Sequence, residues 1–354
     1  MRFLIVGAGL AGTTAAHLLR ERHIAFELMD SGENVSSAVA GGIINPLVFR
    51  RMTLSWRLDE LLPVAHRFFE KREQEMNKQF YHAVPIRRFF ASEQERDFWL
   101  KKQDLPDFQP YMQTQTSLDA AFPSPSNTHG TGLVLQSGYV DAARYTEANR
   151  LFFEELGVLR KEKMDYSQLD PIAGSYKGVA YDCILFCEGK DALYNPWFRT
   201  IPLQATKGEV LTIDCATASQ EESYNRKCFM MPIGNHQFRV GSTYDWDVDN
   251  TIPTEVGKKT ITENLASILT EDYTISSHHA GVRPTIKDRR PVLGRHPHFP
   301  KLAIGNGLGA KGYMLAPLII EELLDHLIAG TPVHPETRIE RFQFPTTGDA
   351  TSSL

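Results

Sequence analysis

The first residues that suggest chemistry are the three glycines of the run GAGLAG (residues 7–12), a G-x-G-x-x-G pattern. Gly7 permits a tight turn, Gly9 lets the backbone approach a pyrophosphate, and Gly12 lets a following helix pack against a preceding strand. The N-terminus of that helix offers free N–H groups and a positive dipole end to phosphates. Asp30, eighteen residues after Gly12, is placed to accept hydrogen bonds from ribose hydroxyls. The pattern predicts a dinucleotide-binding site.

Histidines and cysteines give no comparable pattern, and we predict no metal site. Adjacent residues of a strand point to opposite faces, so His278 and His279 do not converge on one ion, and no second ligand group has suitable spacing. The four cysteines form no Cys-x-x-Cys pair. Two of them, Cys183 and Cys187, lie in one apolar run, where a thiol acts as a small hydrophobe. A reducing compartment is therefore expected.

A β-α-β unit must position the glycine turn. Residues 2–6 form a short β-rich run, 13–22 a strong helix former, and 24–29 a second β-rich run. A right-handed crossover of this kind makes the two strands parallel neighbours in one sheet. The apolar run 183–187 is typical of a central parallel strand that is covered on both faces.

The remaining pattern mixes helices with strand-like alternation. Amphipathic spacing predicts a long helix over 55–79, and Asp141 and Thr254 are expected to cap helices over 141–156 and 254–269. Alternating segments between about 204 and 243 predict antiparallel strands, and 104–131 is expected to hold loops and short strands. The chain ends with a predicted strand at 302–305, a glycine turn and an apolar helix over 314–328.

These elements predict an α/β protein, α+β overall, with two domains. A Rossmann-like nucleotide-binding domain is expected from three separated segments, and a substrate domain with a mainly antiparallel sheet from the two segments between them. The nucleotide-binding segments are 1–75, 132–200 and 276–354, and the substrate-binding segments are 76–131 and 201–275.

Composition limits the partners and the location. The chain has 354 residues and a formal net charge of −5, so it offers no basic face for nucleic acid, and small molecules are the expected partners. No apolar stretch reaches the roughly 18 residues of a transmembrane helix, and the N-terminal apolar run is too short for a signal peptide. We therefore expect a cytoplasmic protein.

Five sequence blocks in a fixed order resemble the D-amino acid oxidase and glycine oxidase superfamily of FAD-dependent oxidoreductases, which includes sarcosine oxidases and a domain of a bifunctional tRNA-modifying enzyme. The blocks span most of the chain, and their order is more specific than any single motif. They are GAGLAG with Asp30, the stretch 36–42 (SSAVAGG), the stretch 138–141 (GYVD), the stretch 280–294 beginning AGVRP, and the stretch 305–312 (GNGLGAKG).

The resemblance implies non-covalently bound FAD, with its ADP half on the N-terminal unit and its flavin between the domains. Where members of the family bind FAD covalently, the attachment site is a cysteine near the C-terminal glycine block. This chain has no cysteine after Cys228. Glu188 stands where the family usually has a small residue, which is a departure. The residues expected to contact FAD are Gly7, Gly9, Leu10, Ala11, Gly12, Asp30, Ser37, Ala38, Gly41, Gly42, Met164, Cys187, Glu188, Gly189, Gly307, Gly309, Ala310, Lys311 and Gly312.

The same resemblance implies catalytic roles for Arg283, Lys311 and one of Arg50 and Arg51, and Tyr244 is added because of its place after the stretch 241–243. Arg283 matches an arginine that clamps the substrate carboxylate in several members, and a planar guanidinium can bind a carboxylate bidentately. Lys311 matches a lysine that approaches the same carboxylate, and Arg50 or its neighbour Arg51 is expected near the flavin. Tyr244 is expected to point into the cavity. A structural role remains the alternative for each of them.

The resulting hypothesis is oxidation of a small amine or amino acid. The resemblance implies direct hydride transfer from the substrate carbon to flavin N5, giving an imine that hydrolyses, while dioxygen or another acceptor reoxidises the flavin. Three alternatives stay open: a flavin dehydrogenase of a 2-hydroxy acid, which needs a well-placed histidine base, a role on modified tRNA, and a non-catalytic flavin-binding protein.

Overall fold

The computed structural model describes residues 1–33, 35–114, 128–246 and 250–344. One half of the molecule is built on a six-stranded sheet, whose strands come from separate parts of the chain. Five of its strands are parallel, and the edge strand Val292–Arg295 runs antiparallel to its neighbour. The strand order is Leu159–Lys161, Ala25–Asp30, Arg2–Val6, Cys183–Phe186, Leu302–Asn306 and Val292–Arg295.

Alternation along the first strand explains why this sheet is covered on both faces. Phe3 and Ile5 pack into one hydrophobic core, while Leu4 and Val6 pack into a second core on the opposite face. The first core also holds buried residues of the helices Leu10–Glu21 and Gly312–Ala329. The predicted central strand is therefore observed, with all four residues of Cys183–Phe186 buried.

A nine-stranded, mainly antiparallel sheet forms the other half of the molecule. Its longest strands, Leu203–Asp214 and Thr274–Ile286, pair with each other along their whole length. One pair, Ile86–Phe89 with Ser223–Asn225, is parallel. The other strands are Met112–Gln113, Thr131–Val134, Phe229–Gly234, Gln237–Gly241 and Asp245–Trp246.

The predicted helices are present, with shifted ends. The long helix spans Leu58–Met76, and residues in the left-handed conformation bound it, Arg57 with φ 48° and Asn77 with φ 49°. Asp141 caps the helix Ala142–Glu155 by accepting from the Arg144 N–H, and Thr254 caps Glu255–Leu265 through the Gly257 N–H. Two helices that the sequence patterns did not indicate are Ser36–Val39 and Glu93–Gln103.

Short strands complete the structure. Three small groups of strands pair locally: Ile43–Ile44 with Gly138–Val140 and Tyr81–His82; Leu47–Val48 with Thr53–Leu54; and Leu169–Asp170 with Ser175–Tyr176 and Val179–Ala180. Within the described residues, none of the helices has the length and apolar character needed to cross a membrane.

Two of the predicted domain borders fall inside strands of the nine-stranded sheet. A border between residues 131 and 132 divides Thr131–Val134, and one between 275 and 276 divides Thr274–Ile286. Because each of these strands belongs wholly to the nine-stranded sheet, the two predicted borders do not coincide with the edges of that sheet. Of the segment 104–131, which was predicted to hold loops and short strands, residues 115–127 lie outside the described residues.

Candidate functional site

A cavity of about 670 Å³ lies between the two large sheets, because residues of both sheets line its wall. Most of the site residues that were predicted from the sequence line it. These residues are Gly7, Gly9, Leu10, Ala11, Asp30, Ser37, Gly41, Gly42, Met164, Cys187, Glu188, Gly189, Tyr244, Arg283, Gly309, Ala310 and Gly312.

The glycine turn at one end of this cavity has no room for side chains. Gly7 has φ 100°, and a Cβ placed on it would lie 2.5 Å from the Cys187 carbonyl oxygen. A Cβ on Gly12 would lie 1.8 Å from the Gly7 carbonyl oxygen, so this glycine allows the helix to close onto the turn without lining the cavity itself. The helix begins at Leu10 with no side-chain cap at Gly9, which leaves its positive end toward the cavity.

Asp30 joins this turn to the end of the second strand. Its carboxylate accepts a hydrogen bond from the Ala8 N–H at 2.5 Å and another from the Gly32 N–H at 2.6 Å. A carboxylate has about four lone-pair positions, so two remain for further donors such as ribose hydroxyls. Asp30 therefore lies where the glycine pattern predicts it.

The neighbouring wall contains the buried carboxyl group of Glu188. Its Oε1 accepts from the Tyr166 hydroxyl at 2.7 Å, and its Oε2 accepts from Asn195 Nδ2 at 2.8 Å. Burial raises the pKa of Glu188 to about 7, and these two hydrogen bonds oppose that rise. The carboxyl group that departs from the family pattern is thus fixed in the wall, next to the predicted cofactor contacts Met164 and Gly189.

The segment 36–42 crosses between the two sheets and forms another part of the wall. Ser37 Oγ accepts from the Leu10 N–H at 2.9 Å, and Ser36 Oγ donates to the Val282 carbonyl at 2.7 Å. Ala38 does not line the cavity, and its carbonyl faces the Arg239 guanidinium at 3.4 Å. A Cβ on Gly42 would lie 1.9 Å from the Val140 carbonyl oxygen, so only glycine fits this crossing.

The C-terminal glycine block closes the far side. Gly309 has φ 58°, and a Cβ placed on it would meet no atom within 4 Å, so this residue leaves open space at the cavity. Ala310 and Gly312 line the cavity at the start of the helix Gly312–Ala329. Gly307 does not line the cavity. The cavity therefore runs from one glycine turn to another, as an extended dinucleotide requires.

Arg283 is a cation of this cavity that has no ion pair among the described residues, whereas the lining residues Lys163 and Lys190 pair with Glu33 and Asp191. Its Nη2 donates to Ser242 Oγ at 2.7 Å, its guanidinium carbon lies 4.5 Å from the centre of the Tyr244 ring, and burial lowers its pKa. The guanidinium lies so close to Gly208 that a Cβ there would come within 2.2 Å of Nη2. Among the described residues no carboxylate pairs with Arg283, and Asp288 pairs with Arg341 at 2.6 Å instead.

Lys311 and the arginine pair occupy other places than the resemblance implies. Lys311 Nζ donates to the carbonyls of Asn45 and Leu47 at 3.1 and 3.2 Å and to Ser55 Oγ, and it does not line the cavity. Burial lowers its pKa to about 8. Arg50 and Arg51 are exposed in the turn between Leu47–Val48 and Thr53–Leu54, away from the cavity wall. The structure therefore brings Arg283 and Tyr244 together, and it leaves Lys311 and Arg50 apart from them.

Other wall residues were not indicated by the sequence. Ser242 and Phe229 line the cavity, and Arg239 supports it by donating to the Ala40 carbonyl at 3.1 Å. The alternation of the strand Gln237–Gly241, which places Phe238 and Val240 in a core, puts Arg239 on the opposite face. The alternation of the strand could have predicted the face on which Arg239 lies. Its hydrogen-bond partner could not be predicted, because that partner depends on tertiary contacts.

His278, one of the two adjacent histidines considered in the sequence, lies beside a buried carboxylate. His278 Nε2 lies 2.7 Å from the buried carboxylate of Glu209, which also accepts from the Thr254 N–H at 2.9 Å. No group of three or more potential ligands that could hold a metal ion occurs in the described part of the chain.

A glycine turn on a parallel sheet, an acid at the next strand and a cavity bounded by a second sheet define a dinucleotide-dependent oxidoreductase. The family model of FAD dependent oxidoreductases matches residues 2–325, and this chain belongs to that family. The predicted cofactor is therefore correct: the protein is an FAD-dependent oxidoreductase. None of its cysteines follows Cys228, so FAD has no cysteine at the C-terminal glycine block to which it could be covalently attached.

Known proteins of this kind cover nearly all of the chain. A tRNA 5-methylaminomethyl-2-thiouridine biosynthesis bifunctional protein of Maricaulis maris is 26% identical over 94% of this chain and 53% of its own length, so the chain spans about half of that relative. The glycine oxidase structure from Bacillus cereus has a TM-score of 0.79 at 19% identity, covering 94% of this chain and 98% of its own. The iminodiacetate oxidase structure from Chelativorans has a TM-score of 0.77 at 19% identity, covering 97% and 98%. The two structures share the fold with this chain.

Proposed function

We propose that this protein oxidises the carbon–nitrogen bond of a small amine that carries a carboxylate, such as glycine or an N-substituted glycine. The observation that carries the proposal is Arg283, a desolvated guanidinium at the cavity wall that forms no ion pair with a carboxylate among the described residues and feels Asp245 only at longer range. A desolvated charge needs compensation, and a substrate carboxylate supplies it. The names of the glycine oxidase and iminodiacetate oxidase neighbours describe substrates with that group.

FAD fits the remaining cavity. The glycine turn with Asp30 would hold its ADP half, and the block from Gly309 to Gly312 would lie against its ring, because glycine residues line the cavity at both ends. When bound, FAD supplies a two-electron acceptor for the substrate. The chain itself binds and orients the substrate.

The residues of the chain explain how a small acid would be oriented. The two Nη atoms of Arg283 can hold a carboxylate bidentately, which fixes its plane as well as its charge. Tyr244 covers one face of the guanidinium and limits its access to water. Positioning of this kind can lower a barrier by several kcal/mol without a side-chain base.

The alternative of a 2-hydroxy acid receives less support from the cavity. Removing a hydroxyl proton requires a base, for which histidine is the usual residue. No histidine occurs among the described residues of the cavity wall. Oxidation of an amine in its neutral form requires no such base, so the wall favours an amine.

A second candidate substrate is an amine attached to a nucleobase. It is favoured by the 26% identity to the tRNA-modifying relative over 94% of this chain. The formal net charge of −5 works against binding of a polyanion such as tRNA. We therefore place the free amino acid first.

Anaerobic flavin reduction tests the proposal. The purified FAD-loaded protein is mixed with glycine, sarcosine, iminodiacetate, D- and L-amino acids, 2-hydroxy acids and an alkylamine that lacks a carboxylate, while the oxidised-flavin band is recorded. Bleaching by a carboxylate-bearing amine supports the proposal. Bleaching by 2-hydroxy acids alone, or by the alkylamine as fast as by the acids, contradicts it. Bleaching by none of them favours the nucleobase-bound amine or a non-catalytic role.

A further inference from the structure

A second cavity of about 920 Å³ adjoins the first one and opens to solvent. The two cavities share Ser242 and Tyr244, both of which contact the Arg283 guanidinium. The helix Glu255–Leu265 and its capping residue Thr254 form the opposite side of the second cavity. A molecule anchored at Arg283 therefore has one open direction along Tyr244.

Large apolar side chains surround this opening. Tyr244 and Trp246 are two residues apart on an extended segment, so their rings lie on the same face, with centroids 6.1 Å apart and planes at 49°. Each is 48% exposed, and Ile252 and Val256 beside them are more exposed. Single exposed apolar residues are ordinary, but four around one cavity that continues a functional site indicate a ligand-binding surface.

The cation among the described lining residues of the second cavity is already compensated. Lys207 is buried, its Nζ lies 3.4 Å from Glu209 Oε1, and it donates to the Ile252 carbonyl at 2.5 Å. Asp245 is the other charged residue among the described lining residues, and it is an anion. This surface therefore suits an uncharged ring, while a polyphosphate would find no unpaired cation on it.

The lining residues are also held in place before any ligand binds. Thr254 donates to Glu209 at 2.8 Å and caps its helix, while Lys207 ties residues 250–252 to the sheet. A surface that is ordered in advance loses less conformational entropy when a ring binds.

We propose that the second cavity is a specificity subsite for a planar, uncharged ring on the nitrogen substituent of the substrate. This inference rests on the proposed function, because the carboxylate at Arg283 fixes the direction in which the substituent extends. The ring would stack on Trp246 and on the outer part of Tyr244, and the favoured substrates would be N-arylmethyl glycines.

Steady-state kinetics with matched N-substituents test the subsite. N-benzylglycine carries a planar ring, N-(cyclohexylmethyl)glycine carries a ring of similar size that is not planar, and sarcosine carries a methyl group alone. We expect kcat/KM for N-benzylglycine to exceed the other two values by about fivefold or more. Trp246→Ala should lower it about tenfold and change the value for sarcosine less than twofold, as loss of one stacking surface predicts. Trp246→Phe should retain most of the preference.

Two controls separate the possible failures. Ile172→Ala removes an exposed apolar side chain away from both cavities and should leave all three substrates unchanged. Calorimetric binding of N-benzylglycine to the FAD-loaded protein tests the subsite without turnover, and Trp246→Ala should weaken it about tenfold. If binding and turnover of all three compounds respond equally to Trp246→Ala, or not at all, the subsite is wrong. If N-benzylglycine binds through Trp246 but no glycine derivative reduces the flavin, the proposed reaction fails and the subsite remains.

Discussion

Arg283 shows how one residue can indicate a ligand. A guanidinium in a protein stays charged, and desolvating it is costly unless an anion or several acceptors compensate it. Here the acceptors are Ser242 Oγ and the Thr243 carbonyl, and the latter is distant at 3.5 Å. The Tyr244 ring adds a cation–π contact. This set leaves room for one bidentate anion, which is the reason that we propose a carboxylate-bearing substrate.

Arg283→Lys therefore tests carboxylate recognition directly. Lysine keeps the charge but loses the planar fork, so we expect kcat/KM for the preferred acid to fall about 100-fold, mostly through KM. Arg290→Lys is the matched control, because Arg290 pairs with Glu336 outside the cavity, and it should change kcat/KM less than twofold. An unchanged KM in Arg283→Lys would mean that the carboxylate binds elsewhere.

Glu188, which lines the cavity, should make the stability of the folded protein depend on pH. Its folded pKa of about 7 lies above the ordinary value of 4.5, mainly because burial disfavours the ionised form. The folded protein consequently binds more protons than the unfolded chain between these two values. The stabilisation is complete below pH 4.5 and is lost as the pH rises through about 7.

Glu188→Gln should remove that dependence. A glutamine can copy the protonated acid, with its amide N–H donating to the Tyr166 oxygen while its carbonyl accepts from Asn195. The free energy of unfolding of the variant should rise relative to the wild type by up to about 1.4 kcal/mol per pH unit between pH 4.5 and 7, and then stay level. Denaturant titrations across this range measure the difference. Parallel curves at all pH values would exclude a titrating Glu188.

At the scale of elements, local signals predicted well wherever they were strong. The β-α-β unit, the apolar central strand and the capped helices at Asp141 and Thr254 follow from a few residues each, because strand period and capping are local properties. The helix Glu93–Gln103 also had a local signal, Ser92-x-x-Glu95, whose Ser92 Oγ accepts from the Glu95 N–H at 3.2 Å. Trp99 is the only buried residue of this helix, so its apolar residues show no clear helical periodicity and the periodicity did not predict it.

The direction of a side chain depends on tertiary contacts, and this is where sequence reasoning reached its limit. The motif around Lys311 indicated a glycine block beside the cofactor, and Gly309, Ala310 and Gly312 do line the cavity. It did not show that the ammonium group turns away to the loop of Asn45 and Ser55. The resemblance implied a substrate contact there, and the contacts favour a structural role.

Lys311→Met distinguishes these two roles. Removing the ammonium leaves the carbonyls of Asn45 and Leu47 without that donor, so we expect the free energy of unfolding to fall by about 1–3 kcal/mol while KM changes little. Lys301→Met is the matched control, because Lys301 is solvent-accessible and donates to one carbonyl, that of Ala173. A large increase in KM with unchanged stability would instead support a substrate contact.

At the scale of the whole molecule, the segment 36–42 joins the two sheets. It contacts the glycine-turn helix through Ser37 and the nine-stranded sheet through Ser36, and Arg239 of that sheet donates to its carbonyls. The cavity therefore belongs to neither sheet alone. A ligand that fills it contacts both halves and should order them together.

Hydrogen exchange on the apoprotein, with and without FAD, tests this coupling. Free FAD at 100 times its dissociation constant should stabilise the folded state by about 2.7 kcal/mol, provided the unfolded chain does not bind it. We expect slower exchange in peptides from both halves, namely 7–12, 36–42, 281–283 and 305–312, because each of them contributes residues to the cavity wall. The helix Glu93–Gln103 contributes no residue to the wall and serves as the internal control. Protection confined to the six-stranded sheet would mean that FAD does not reach Arg283, and the substrate would then have to meet its electron acceptor at another place in the fold.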